Sequence, residues 1–220
     1  LVIDHVAPSA NETFSRVHRI MREFAQKYGA NLYDVGSGIC HQVMVESGHV
    51  RPGALIVGAD SHTCTYGALG AFATGIGSTE MAAVFATGKI WLKVPSTIKI
   101  NVFGKFRDFV TPKDLILNII GRIRADGAIY KAIEFAGPTI RDMSISGRLT
   151  LCNMTVEMGA KTGIIEPDEK TIEYVKKRTD KPFKLFRSDP DAEYERTMEF
   201  NVDHLEPMVA CPHSVDNVKP

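Results

Sequence analysis

Two stretches carry a carboxylate beside an imidazole: Asp4-His5, and Asp60-Ser61-His62. A carboxylate next to an imidazole fixes its tautomer and raises its basicity. Such a pair can give a proton to a leaving hydroxyl while another group takes one from carbon. A third imidazole, His41, lies in the run Gly36-Ser37-Gly38-Ile39-Cys40-His41-Gln42. Further along, Asn153 and Glu157 are four residues apart, which places both on one face of a helix. These groups, with few cationic anchors among them, suit proton transfer beside a metal. Coordination of a single hydrolytic metal by His5, His41 and His62 would use the same residue types. The pattern leaves both open. A buried structural histidine or an exposed Asn–Glu stripe also accounts for either motif taken singly.

The segments before these groups must position them. Apolar runs at residues 1–3, 32–35 and 54–57 read as short strands, each ending near one of the three histidines. Strands alternating with helices imply a parallel sheet, and the loops that follow parallel strands share one edge. Three histidine-bearing loops on one edge mark a candidate site. Beyond His62, glycines recur at positions 67, 70, 75 and 77. They are expected to permit tight turns and close backbone approach to a ligand. Phe14, Val17, Ile20, Met21 and Phe24 have helical spacing, which predicts a helix over 11–27 capped by Asn11 and ended by Gly29.

Residues 78–88 read as a packed helix, and 91–94 and 98–103 as extended segments. A helix over 112–123 has Pro112 in its first turn and an apolar stripe of Leu115, Ile116, Ile119, Ile120 and Ile123. Ser144 can cap a helix that runs through Met158, and 170–178 form a charged helix. Residues 180–206 are acidic, are broken by Pro182 and Pro190, and read as peripheral. The fold class is α/β: α/β/α layers around a mostly parallel sheet, followed by a second, smaller α/β subdomain. A change of texture near 95–100 divides residues 1–96 from 97–210, with 211–220 as the start of a linker.

The 26 basic and 26 acidic residues cancel, so nothing points to nucleic acid or to an acidic membrane surface. No apolar run approaches the roughly 20 residues that span a bilayer. Cys40, Cys64, Cys152 and Cys211 form no CxxC pair. That argues against a zinc site or a cluster held by these alone. It fits a reduced, cytoplasmic setting better than a disulfide framework. Cys211-Pro212-His213 is assigned no chemistry.

Three long motifs carry a resemblance. VGADSHTCTYGALGAFATGIGSTEMA at 57–82, DVGSGICHQVMVESGHVRPG at 34–53 and LCNMTVEMGAKTGIIEPDE at 151–169 resemble the aconitase superfamily. The similarity runs over essentially the whole chain. It is strongest toward the prokaryotic branch of isopropylmalate dehydratases and homoaconitases, which have separate large and small subunits. The resemblance implies a multidomain α/β hydro-lyase with a [4Fe-4S] cluster, one iron of which binds substrate as a Lewis acid. It implies that Asp4 and His5 protonate the departing hydroxyl and that His41 pairs with Asp60. His62 would pair with Glu157 near the iron-bound oxygen, Ser61 would touch substrate, and Asn153 would lie close to the cluster.

One departure stands out. The family holds its cluster with cysteines in a GSCTN-like segment and a C-x-x-C segment, and neither occurs here. No metal ligand is therefore expected in this chain; the cluster cysteines are expected after Pro220, and a substrate-binding segment before Leu1. The basic serine and the substrate-gripping arginines are expected on the small, swivelling subunit. The expected reaction converts 2-isopropylmalate to 3-isopropylmalate by dehydration and rehydration, in leucine biosynthesis. The alternative is a homoaconitase large subunit, taking homocitrate or homoaconitate to homoisocitrate. An alternative of another class is a non-catalytic assembly module that lacks the cluster domain. The expected partners are the small subunit and a hydroxy-di- or tricarboxylic acid. The 220 residues alone are expected to be cluster-free and inactive.

Overall fold

Polar caps and glycines set where the elements of this chain begin and end. In a computed structural model that describes residues 1–220, contacts divide the chain into two units, Leu1–His49 and Val50–Pro220. In the first, α1 (Glu12–Tyr28) starts where Asn11 accepts a hydrogen bond from the Phe14 amide at 3.0 Å. It ends at Gly29, whose φ of 66° is open to glycine without a Cβ penalty. The Arg22 guanidinium grips Asp34 through two bonds of 2.7 Å, tying α1 to the following segment and holding the Asp34 carboxyl at about 2. Much of the apolar stripe of α1 is open within this chain: Phe14, Val17 and Ile20 are exposed, and only His18 and Ala25 of α1 are buried.

The expected strands at 1–3 and 32–35 are corrected. They meet in a single parallel bridge, Val2 with Tyr33, made by Ile3 N to Tyr33 O and Tyr33 N to Leu1 O, both at 2.9 Å. A second helix, α2 (Cys40–Glu46), was not foreseen; it begins directly after the glycine-rich turn.

In the second unit, β1 (Leu55–Gly58) pairs in parallel with β2 (Phe72–Gly75), and a 3-10 helix at Ser61–Leu69 connects them. The three histidines are thus not delivered by three strands of one sheet. After β2 comes α3 (Ser78–Thr87), expected to be packed; none of its residues is buried. Residues 91–94, expected to be extended, form no strand.

The main sheet is four-stranded, in the order β5-β4-β3-β6, and every pairing is parallel. Its strands are β3 (Thr97–Phe103), β4 (Ala132–Ala136), β5 (Thr162–Ile165) and β6 (Arg196–Asn201). Between them lie α4 (Pro112–Ile123), α5 (Pro138–Asp142), α6 (Ile145–Asn153) and α7 (Glu169–Lys176). Alternation along β3 sends Ile98, Ile100 and Val102 into the core, where they meet the stripe of α4. All five expected α4 positions are buried. A short antiparallel pair, β7 (Val209–Ala210) with β8 (Val218–Lys219), packs against α4.

The segment 180–206 is not wholly peripheral. Its end forms β6, and Phe200, Val202 and Leu205 join the core. Only Met198 and Phe200 alternate inward in an otherwise polar strand, too weak a pattern to read from sequence.

One buried ion pair was also missed. The side chain of Arg148, in α6, is fully buried. Its Nη1 and Nη2 bind Asp168 at 2.8 and 2.5 Å, and Nη2 also donates to the Arg141 carbonyl at 2.9 Å. Asp168 caps α7 by accepting from the Thr171 amide at 3.1 Å. Burial alone would raise the Asp168 carboxyl, but Arg148 and that amide outweigh it and hold it below the usual range. Removing one partner of such a pair leaves a buried charge unmatched. Arg148→Met is expected to cost about 3 kcal/mol in urea unfolding; a loss within about 0.5 kcal/mol, the size of an ordinary surface change, would refute that role.

Candidate active site

Asp4 and His5 follow the bridge at Val2. His5 Nδ1 lies 2.7 Å from Asp4 Oδ1, and the Cys40 amide, at the start of α2, donates to Asp4 Oδ2 at 2.6 Å. The aspartate is thus the anchored member and the imidazole the accessible one, with side-chain exposures of 8% and 73%. That division suits a proton donor facing solvent or substrate. His18 Nε2, on α1, approaches the His5 carbonyl at 3.1 Å and steadies the loop. Sequence reasoning read position 18 only as part of a helix; its burial was the missing signal.

Burial pushes the Asp4 carboxyl up, but the Cys40 amide and His5 outweigh it, so it lies below its ordinary value of 3.8. A depressed carboxyl contributes stability that is present above the ordinary value and lost as pH falls through the folded one. Asp4→Asn is therefore expected to lower the melting temperature at neutral pH and to lose less on acidification below 3.8 than wild type does. Parallel acid limbs in thermal melts of the two proteins would contradict this. His41 is the second residue of α2, half-buried, with Nε2 3.6 Å from the Cys40 sulfur.

The second constellation lies wholly within Val50–Pro220. β1 ends at Gly58, and Asp60 caps the 61–69 helix by accepting from the His62 amide at 2.7 Å. Its carbonyl accepts from the Thr63 hydroxyl at 2.7 Å. These bonds fix where His62 leaves the backbone. Its Nε2 meets Glu157 Oε1 at 3.1 Å; its Nδ1 lies 3.3 Å from Ser61 Oγ and 3.7 Å from Asp60 Oδ1. The His62 and Glu157 side chains are each about one-third exposed, 34% and 33%. An imidazole bridged between two carboxylates and open to a ligand can hold a proton at Nε2 and release it.

The expected single helix through Met158 is corrected: α6 stops at Asn153, and 154–158 continue as a 3-10 turn. Asn153 and Glu157 nevertheless address the same element. Asn153 Nδ2 donates to Thr65 Oγ1 at 2.8 Å, while Glu157 reaches His62. Thr65 Oγ1 in turn donates to the His62 carbonyl at 2.6 Å, and the Cys64 thiol donates to the Asn153 carbonyl at 3.4 Å. Thr65 was missed by sequence reasoning. Its signal was available: a hydroxyl three residues after His62 can bond back to that residue's carbonyl. Ser61 lines a cleft of about 560 Å³ that also reaches Val156, beside Glu157.

Gly70 makes the expected tight turn, ending the 61–69 helix with a φ of 73°. Other glycines permit close approach of the chain to itself. A Cβ on Gly75 would lie 2.6 Å from the Asp60 carbonyl, and one on Gly67 only 1.6 Å from the Gly163 carbonyl in β5. These contacts seat the 61–69 helix against β2 and β5.

Two of the four cysteines are sealed in the core. Cys64 and Cys152 are fully buried, and burial pushes both thiols up, Cys152 well above its ordinary 9.0. Cys40 and Cys211 are half-buried. No helix is long and apolar enough to cross a membrane.

Comparison with known proteins bears on the class of chemistry. Residues 1–220 match the aconitase family (aconitate hydratase). A probable 3-isopropylmalate dehydratase large subunit of Methanothermobacter thermautotrophicus is 58% identical over all of this chain and 53% of its own length. A 3-isopropylmalate dehydratase large subunit of Aquifex aeolicus is 51% identical over the whole chain and 51% of its own length. A probable methanogen homoaconitase large subunit of Methanosarcina mazei is 52% identical over 99% of the chain and 56% of its own length. The chain spans about half the length of the curated relatives it matches. Its α/β fold and a family match along its full length agree: the chain belongs to the aconitase family.

Proposed function

We propose that this chain forms part of the large subunit of a hydro-lyase that interconverts 2-isopropylmalate and 3-isopropylmalate through the dehydrated alkene, in leucine biosynthesis. The observation that carries the reading is the His62–Glu157 pair, 3.1 Å apart and open on one side. The dehydratase names of relatives at 58% and 51% identity support this choice of substrate.

In this reading His5, held by Asp4, gives a proton to the departing hydroxyl, so that it leaves as water. His62, held by Asp60 and Glu157, manages the proton on the oxygen side of the reaction. Ser61 hydrogen-bonds the substrate, and Asn153 keeps the Thr65–His62 backbone in place. His41 belongs to the same proton-transfer set. The proton on carbon goes to a serine of the small subunit, which the large-subunit names of the relatives imply. Residues 97–210, with a parallel sheet of their own, act as the second domain, 1–96 belong to the first, and 211–220 lead toward a third. The family's [4Fe-4S] cluster, a Lewis acid when bound, is not held by these four cysteines and would be carried elsewhere in the subunit. The setting is cytoplasmic.

The similar identity of the homoaconitase large subunit, 52%, supports a second reading, in which homoaconitate is the substrate. The test completes the chain with a relative's remaining large-subunit sequence and small subunit, loads it anaerobically with iron and sulfide, and offers both acids. Turnover of 2-isopropylmalate by the assembly, and none by the 220-residue chain, is the expected result. Turnover of homoaconitate alone selects the second reading. Turnover by the chain alone, or of neither acid by the assembly, overturns both.

A further inference from the structure

The cleft beside His62 contains one cation the proposed chemistry does not use. Lys161, half-buried at the entrance to β5, lines it together with Ser61, Glu80, Trp91 and Tyr130. Its Nζ lies 5.2 Å from the centre of the Tyr130 ring and has no ion-pair partner. The backbone holds it in place, since Lys161 N donates to the Lys131 carbonyl at 2.8 Å. Tyr130 is held too: its φ of 58° is a conformation L-residues rarely adopt, and its hydroxyl donates to the Lys93 carbonyl at 3.3 Å. The ring is therefore a fixed platform under the ammonium group.

Glu80, the other charge in the cleft, is already committed. Its Oε2 accepts from the Gly77 amide at the start of α3, where the helix dipole favours a negative charge. Lys161 thus supplies the one positive charge of a cleft that Ser61, the exposed Trp91 and the half-buried Leu92 also line. An ammonium and a hydroxyl lining one concave surface can recognise a carboxylate, and the apolar side chains beside them suit an aliphatic substituent.

We propose that Lys161, on its Tyr130 platform, is the carboxylate-binding residue of the cleft next to His62 and Glu157, accepting a small aliphatic dicarboxylate. This deepens the proposed function and rests on it only for the identity of the acid.

Trp91 is the only tryptophan, it is 85% exposed, and it lines the cleft, so its emission reports occupancy. The experiment titrates the 220-residue chain at constant ionic strength with succinate, 2-isopropylmalate and sodium sulfate. Both carboxylates are expected to shift the emission saturably, and sulfate is not. Lys161→Met is expected to weaken carboxylate binding about tenfold, and Lys161→Arg to restore most of it. As a second readout in wild type, succinate is expected to protect Lys161 from acetylation, followed by peptide mass. Saturable binding of succinate without 2-isopropylmalate supports the carboxylate site and counts against the proposed substrate. No carboxylate response, an equal response to sulfate, full affinity in Lys161→Met, or unprotected Lys161 would each overturn the proposal.

Discussion

Gly67→Ala is expected to abolish stable folding. A Cβ at Gly67 would lie 1.6 Å from the Gly163 carbonyl oxygen and 2.8 Å from its carbon. Neither obstacle is a side-chain end that can swing away; both are backbone atoms of β5. Gly163 is itself closely packed: a Cβ there would lie 2.6 Å from Thr155 Cγ2 and 3.1 Å from the Cys152 Cα. Relief would require the 61–69 helix to lift off β5 and expose Cys64, Ala68 and Leu69, all fully buried. The expected cost is about 5 kcal/mol, comparable with the whole stability of many domains. Gly88→Ala is the control. There φ is +66° but nothing lies within 4 Å, so only the left-handed backbone is penalised, by about 1–2 kcal/mol. Urea unfolding of both variants separates contact from conformation; a Gly67→Ala loss no larger than that of Gly88→Ala would show that the helix does not need this seat.

Removing either member of the His62–Glu157 pair is expected to cost the completed enzyme about a hundredfold to a thousandfold in kcat, with KM changed much less. The reasoning is geometric. Asp60 and Thr65 fix the backbone of the histidine on either side, and Glu157 fixes its ring through Nε2. His62→Asn keeps a polar side chain at the helix start but removes the exchangeable ring proton. Glu157→Gln keeps the shape and removes the charge that stabilises an imidazolium. Both side chains are about one-third exposed, so neither change opens a core cavity and both proteins should fold. An effect on kcat without one on melting is what distinguishes a chemical role from a structural one here.

Much of this was readable from residue types and spacing. The caps at Asn11 and Ser144 and the stripe of α4 read correctly because capping and 3.6-residue periodicity are local. Asp60 and His62 stood out because a strand ran directly into them. Glu157 was weak by spacing alone and gained its weight from the family resemblance. What could not be read depends on distant partners. Residues 1–3 looked like a strand but found only the single bridge to Tyr33. The burial of Arg148 is set by Asp168 twenty residues on, and a lone arginine in a helix gives no sign of it. The glycines announced close approach, but no local rule says whether a ligand or the chain's own β5 does the approaching. β6 hid because an edge strand with two inward apolar residues is nearly indistinguishable from an acidic loop.

The most direct measurement is kcat of Glu157→Gln against wild type in the completed, anaerobically loaded enzyme, followed by 2-isopropylmalate consumption at a temperature where both are folded. A fall of about a hundredfold or more, with melting unchanged, is the predicted result. Wild-type turnover in Glu157→Gln would mean that the 3.1 Å contact to His62 is structural and that the proton on the oxygen side is handled by other groups.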